Sequence, residues 1–314
     1  MNRIWVLTLV ICITSCQGGQ SSIPTAVPTQ TVRAPTHTPL PTSTRTAIPR
    51  KTGTPAPSPT ASTAQAKLII QTPTPLSEEW KDLPVLPVAD SSVRDIYENG
   101  LLLGNDPHAF SIFGDCQSRP DDFFGVFETD PIIIESLAPE LREAVNNFDG
   151  SFNRESPTSQ DGTTPGALLW DQWHRGEYGC TFAETPVQCE LRIHRPSFVI
   201  IQIGTHFESR NTEYLRDIIN QLIDAGVVPI LATKADNREL DNRVNRDMAL
   251  LAAEFDLPLW NFWAALSDLP DRGLYVMDGR EDQGAVYLND EAAERHRMTG
   301  LAALNAVWRV AIGQ

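Results

Sequence analysis

Hydrophobic patterning divides this chain into two regimes. Residues 4–13 form an apolar run behind Asn2 and Arg3, too short to span a bilayer permanently and built like a secretion signal. From residue 17 to about 75, Thr, Pro, Ser and Ala dominate, and Leu68, Ile69 and Ile70 form the one apolar patch. Such a segment cannot bury enough apolar surface to offset its ordering entropy, and its prolines keep it extended as a semi-rigid spacer. Beyond about residue 78 apolar runs alternate with helical periodicities, which predicts α/β architecture.

Within that region, residues 110–113 (FSIF), 197–202 (SFVIIQ), 227–232 (VVPILA) and 257–260 read as strands. The second and third are apolar enough to be buried parallel strands, although Pro229 lacks a ladder donor. Helical spacing runs over 212–225 through Leu215, Ile218, Ile219, Leu222 and Ile223, closed by Gly226. Further helices are predicted over 238–255 and from 291 to about 310, the last capped by Asp290. Residues 130–147 read as partly helical, with Pro139 opening the main stretch and residues 148–150 stopping it. Alternation in 191–194 (LRIH) predicts a strand with Arg192 and His194 on its polar face.

Charge and cysteines add organisation. The formal charge is −15; residues 1–76 hold six basic residues and no acidic ones, so the remainder carries −21. An acidic domain argues against nucleic-acid binding, which relies on Lys/Arg neutralising phosphates. Ile13-Thr14-Ser15-Cys16 resembles a bacterial lipobox, which makes Cys16 the lipidated N-terminus of a mature extracytoplasmic lipoprotein. The expected organisation is a signal peptide (1–16), a disordered Pro/Thr/Ser-rich linker (17–77) and a folded domain (78–314). Outside the cytoplasm cysteines pair, and Cys180 and Cys189 flank one short loop, so they are the expected disulfide. Cys116 is then the odd thiol. It stands either as an inert buried cysteine or as a group presented where Phe113-Gly114-Asp115 ends a strand, the edge at which open α/β sheets bind ligands.

The other candidates have plainer readings. His108 is placed in a loop, His174 in Trp-rich packing near Trp170 and Trp173, and His296 on a solvated helix face between Arg295 and Arg297. The Lys234-Ala235-Asp236-Asn237 turn leaves two readings open, a ligand contact or a helix cap. No spacing matches a zinc or calcium site, and there is no nucleotide-binding glycine loop. No cofactor is expected.

Four segments, in order, resemble the blocks of the SGNH or GDSL hydrolases, an esterase, lipase and carbohydrate deacetylase family. Residues 113–118 (FGDCQS) resemble the first block, with Cys116 at the nucleophile position beside Gly114 and Asp115. Residues 160–164 (QDGTT) resemble the second, which implies an oxyanion-hole amide at Gly162. Residues 203–206 (IGTH) resemble the third, with His206 where the family has an oxyanion-binding asparagine. Residues 284–289 (GAVYLN) resemble the fourth, with Gly284 and Tyr287 at the catalytic Asp and His positions. The resemblance implies a three-layer α/β/α, flavodoxin-like fold with a parallel sheet of about five strands. It implies an ester substrate, an acyl or acetyl ester of a lipid or glycan, and no nucleic-acid partner. A Cys116–His206 pair could restore a nucleophile and base; otherwise His206 only fills the vacated pocket. Two functions follow: a membrane-anchored hydrolase using Cys116, Gly162 and His206, or a non-catalytic domain that binds a glycan or cell-envelope component in the same cleft.

Overall fold

The structure, a computed structural model, describes residues 78–205 and 212–314. The signal segment, the linker, Cys16 and His206 lie outside the described residues.

The domain is built on a parallel sheet of four strands, β1 (Asp106–Gly114), β2 (Pro196–Gln202), β3 (Val228–Ala232) and β4 (Leu259–Trp260), hydrogen-bonded in that order. Both faces are covered, and side chains alternate between them. Phe110, Ile112, Phe198 and Ile200 pack into one core with α1 (Ser91–Leu103), α2 (Pro139–Asn147) and the last helix. Phe113, Val199, Ile201 and Leu231 pack into the other. The second core is closed by α3 (Pro186–Ile193), α4 (Thr212–Asp224) and α5 (Arg243–Phe255). Every residue of β2 is buried, which explains its unbroken apolar run. Burial of each large apolar side chain there stabilises the fold by about 1.5–3 kcal/mol.

Pro229 fits because of register. Leu231 N–H donates to Pro258 O on the β4 side. Pro229, two residues earlier, points to the same side, where β4 has not yet begun, since pairing starts at Leu231 and Leu259. Its missing donor therefore breaks no ladder bond.

The five-strand expectation is corrected to four among the described residues. At the place of a fifth, on the free edge of β1, only a parallel bridge between Gly114 and Ser159 forms, with Gly114 N–H donating to Thr158 O at 2.9 Å. The chain thus runs from β1 to one side of that strand, and then back to β2 on the other. Such a reversal opens a crevice at the carboxyl ends of the strands. A separate antiparallel pair, β5 (Leu274–Tyr275) and β6 (Tyr287–Leu288), precedes the last helix, α6 (Asp290–Ala311).

Several local expectations change. Residues 191–194 are not a strand: Thr185 and Gln188 form a capping box with Pro186 at the first position, so α3 covers 191–193 and His194 ends it. The helix expected from 238 begins at Arg243. Asn289, not Asp290, caps α6 by accepting from Ala292 N–H. His108 lies in β1 rather than a loop, with Nδ1 bonded to Asn147 Oδ1 at 2.9 Å. The Cys180–Cys189 disulfide is formed, with Cα atoms 5.3 Å apart.

Candidate functional site

Strand β1 ends in Gly114 because the chain is tightest there. A Cβ at this position would lie 2.2 Å from Ser118 Oγ and 3.0 Å from Gln202 O. Asp115 follows and is structural. Its buried carboxylate accepts the backbone N–H groups of Gly204 (3.0 Å) and Thr205 (2.8 Å), tying the end of β1 to the end of β2. Its other oxygen accepts from Gln117 N–H at 3.4 Å and caps the short 3₁₀ turn of Cys116–Ser118. This geometry turns Cys116 into a cleft of about 1140 Å³ at the carboxyl edge of the sheet.

Cys116, Gly162 and Gly204 line that cleft together, so the residues from the first three resembling segments do converge. Tyr287 lines it as well. Gln117 Nε2 donates to Val286 O at 2.5 Å and joins the Cys116–Ser118 turn to the segment before α6.

The chemistry at Cys116 is unfavourable to a thiolate. Burial pushes the thiol well above its usual range, and the negative charges of Asp115, Asp161 and Asp122 push it further, against a hydrogen bond from Gln117 N–H. Asp122 is itself raised by burial, with Arg119 opposing. Among the described residues no histidine lines the cleft. Cys116 Sγ lies 4.0 Å from Asp115 Oδ1, its neighbouring carboxylate.

The two positions to which the resemblance assigns an acid and a base hold Gly284 and Tyr287. Gly284 has φ 74° and ψ −165°, a region essentially restricted to glycine, so an aspartate there would be strained. Tyr287 O–H donates to Gln283 Oε1 at 2.7 Å, and its ring lies 5.8 Å from that of Tyr275.

His296 is not on a solvated face. It is fully buried among Phe123, Trp260 and Phe262, and its Nε2–H donates to Gln202 Oε1 at 2.6 Å. Burial, helped by the Arg297 charge, lowers its pKa to about 3, so the ring is neutral at physiological pH. His194, expected on the polar face of a strand, is half-buried at the end of α3, and its Nε2–H donates to Phe110 O at 3.0 Å. His174 is a packing residue as expected, with Nε2 bonded to Glu184 O at 2.8 Å.

The charged floor of the cleft was not legible as such. Lys234 follows β3 and is buried; its Nζ donates to Asp236 Oδ1 (2.8 Å) and Glu239 Oε2 (2.6 Å), both buried too. Burial raises Asp236 to about 6, with Lys234 opposing. Of the two readings of this turn, the helix cap is corrected: Asn242 stands at the N-cap of α5, and its side chain makes no capping hydrogen bond. Lys234 lines the cleft, while Asp236 and Asn237 accept from Arg238 N–H and Asn242 N–H to shape the loop before α5. Arg238, Arg243 and Arg280 stand around the rim, in a domain that is otherwise strongly acidic.

No protein-family model matches this chain, and no curated protein sequence matches it significantly. Among the described residues no helix is long and apolar enough to cross a membrane.

Proposed function

We propose that the domain is an extracytoplasmic ligand-binding module on an SGNH-like scaffold, tethered through Cys16, whose cleft persists without the family's hydrolytic machinery. The observation that carries this reading is the environment of Cys116. Its thiol is half-buried beside three carboxylates, the nearest being Asp115 Oδ1 at 4.0 Å, and among the described residues no histidine lines the cleft around it. A nucleophile needs an adjacent base or a depressed pKa, and Cys116 has the reverse. The cleft walls instead supply fixed polar groups: Lys234 held by two carboxylates, and the Arg238, Arg243 and Arg280 side chains. These suit recognition of a polar ligand, for which a glycan or cell-envelope component is the proposed class.

The second reading, an esterase acting on acyl or acetyl esters, is favoured by one fact. Cys116 and Gly162 face the same cleft, as nucleophile and oxyanion donor would. That reading needs His206 as the base. Hydrolysis of p-nitrophenyl acetate by the full chain separates the two. Binding without catalysis predicts equal background rates for the wild type and Cys116→Ala. A rate that disappears in Cys116→Ala, and also in His206→Ala, establishes the esterase instead.

A further inference from the structure

Beside the main cleft, on the far side of Tyr275, lies a second cavity of about 540 Å³, walled by Trp263, Arg272, Leu274, Tyr275, Val276 and Asn237. Its distinctive group is Arg272. The guanidinium carbon lies over the buried Trp263 indole, 3.6 Å from the ring centroid, and Nη1 donates to Trp263 O at 2.8 Å. Among the described residues no carboxylate lies within ion-pair distance of it, whereas the arginines of the acidic surface, such as Arg295 and Arg192, are paired. Partial burial lowers the pKa of Arg272, consistent with a partly desolvated cation whose partners are the Trp263 ring and carbonyl rather than a carboxylate.

The backbone that presents it is also unusual. Asp271 and Arg272 both have left-handed conformations, with φ 48° and 58°. Two successive non-glycine residues there store strain of roughly 1–2 kcal/mol each. Strain of this kind concentrates at ligand clamps, where the surrounding structure enforces it.

We propose that this second cavity binds a single carboxylate, carried on a group with one apolar face, such as a uronic acid residue. Seated over Trp263, the guanidinium offers its edge, and a planar carboxylate matches that edge with two parallel N–H···O bonds. A monoanion fits the charge. One cation serves it, and the Asp271 carboxylate in the same wall, which repels any anion, opposes a dianion such as phosphate about twice as strongly as a monoanion. The half-exposed Tyr275 ring and Val276 provide the apolar wall against which the rest of the group lies. The inference does not depend on whether the main cleft catalyses a reaction.

The test is an NMR titration of the full chain with methyl glucuronide and with methyl glucoside, which differ only in the carboxylate. The expected result is saturable shifts of the Arg272 Nε–H and the Tyr275 and Val276 amides with glucuronide, and affinity for glucoside weaker by at least roughly tenfold. Arg272→Lys keeps the charge but loses the planar fork, and should weaken glucuronide binding by roughly tenfold. Tyr275→Ala, on an exposed ring, should weaken it severalfold without unfolding the domain. Equal affinity for the two sugars, wild-type affinity in Arg272→Lys, or no shift with either sugar overturns the proposal. Inorganic phosphate binding at least as well as glucuronide would also overturn it.

Discussion

Replacing His296 by glutamine should change how stability depends on pH. In the unfolded chain the imidazole has its ordinary pKa of 6.5, whereas burial holds it at about 3 in the folded domain. Between these values the unfolded state takes up a proton that the native state refuses, so acidification removes stability. The slope is about 1.4 kcal/mol per pH unit, and the full span is about 5 kcal/mol. Asp236 works in the opposite direction. Its pKa rises from 3.8 to about 6 on folding, so the native state takes up the proton first. Stability from this group is present below pH 3.8 and is lost as pH rises through about 6. Its span is about 3 kcal/mol. The two therefore nearly cancel between about pH 4 and pH 6, and the larger His296 effect prevails outside that window. In His296→Gln the side-chain amide can still donate to Gln202, while the titrating ring is gone. Urea unfolding of the wild type and variant at about pH 7, pH 5.5 and pH 4.5 reads the difference directly. The gap between them should shift in favour of the variant by about 1.4 kcal/mol per pH unit below pH 6.5. A gap that stays constant with pH would mean the ring titrates normally and is not buried as described.

Two further predictions follow from the same geometry. Asp236→Asn should leave the His296 effect unopposed, so that stability falls by about 1.4 kcal/mol per pH unit on acidification from about pH 6 to pH 4, because the amide keeps an oxygen to accept from Lys234 and Arg238 without titrating; an unchanged pH profile in urea unfolding counts against it. Gly284→Asp should destabilise the domain by about 1–3 kcal/mol and leave p-nitrophenyl acetate hydrolysis at background, since the backbone there suits only glycine; gain of esterase activity would contradict this.

The four strands of the parallel sheet and helices α2, α4, α5 and α6 were legible because β2 and β3 are buried on both faces and α4 carries a clear apolar stripe, whereas α1 and the β5–β6 pair were not read. What was missed has physical causes. The α3 segment looked like an alternating strand over four residues, but the Thr185-Pro186 start with Gln188 was a capping signal within reach of the sequence. His296 was placed at the surface on account of its flanking arginines. The spacing Ala292, His296, Gly300, Leu304 instead puts it on the buried face of α6. The fifth strand was expected from the resemblance alone and not from any periodic segment; only a single bridge at Ser159 stands in its place. At the candidate site, the convergence of Cys116 with Gly162 was readable from block order. The carboxylates around the thiol were not, since Asp161 and Asp122 reach it only through the fold. The Lys234 turn was placed at the end of β3, but its burial with Asp236 and Glu239 leaves no trace in the sequence.

The central claim is that Cys116 marks a binding cleft rather than a reactive centre, and its alkylation rate by iodoacetamide as a function of pH tests this most directly. An ordinary thiol ionises near pH 8.5 and an activated one well below it. The account predicts slow modification with no inflection below about pH 9, because burial and three carboxylates keep the thiol protonated. Rapid alkylation with an inflection below about pH 7.5, abolished in His206→Ala, would show an activated thiolate and contradict it.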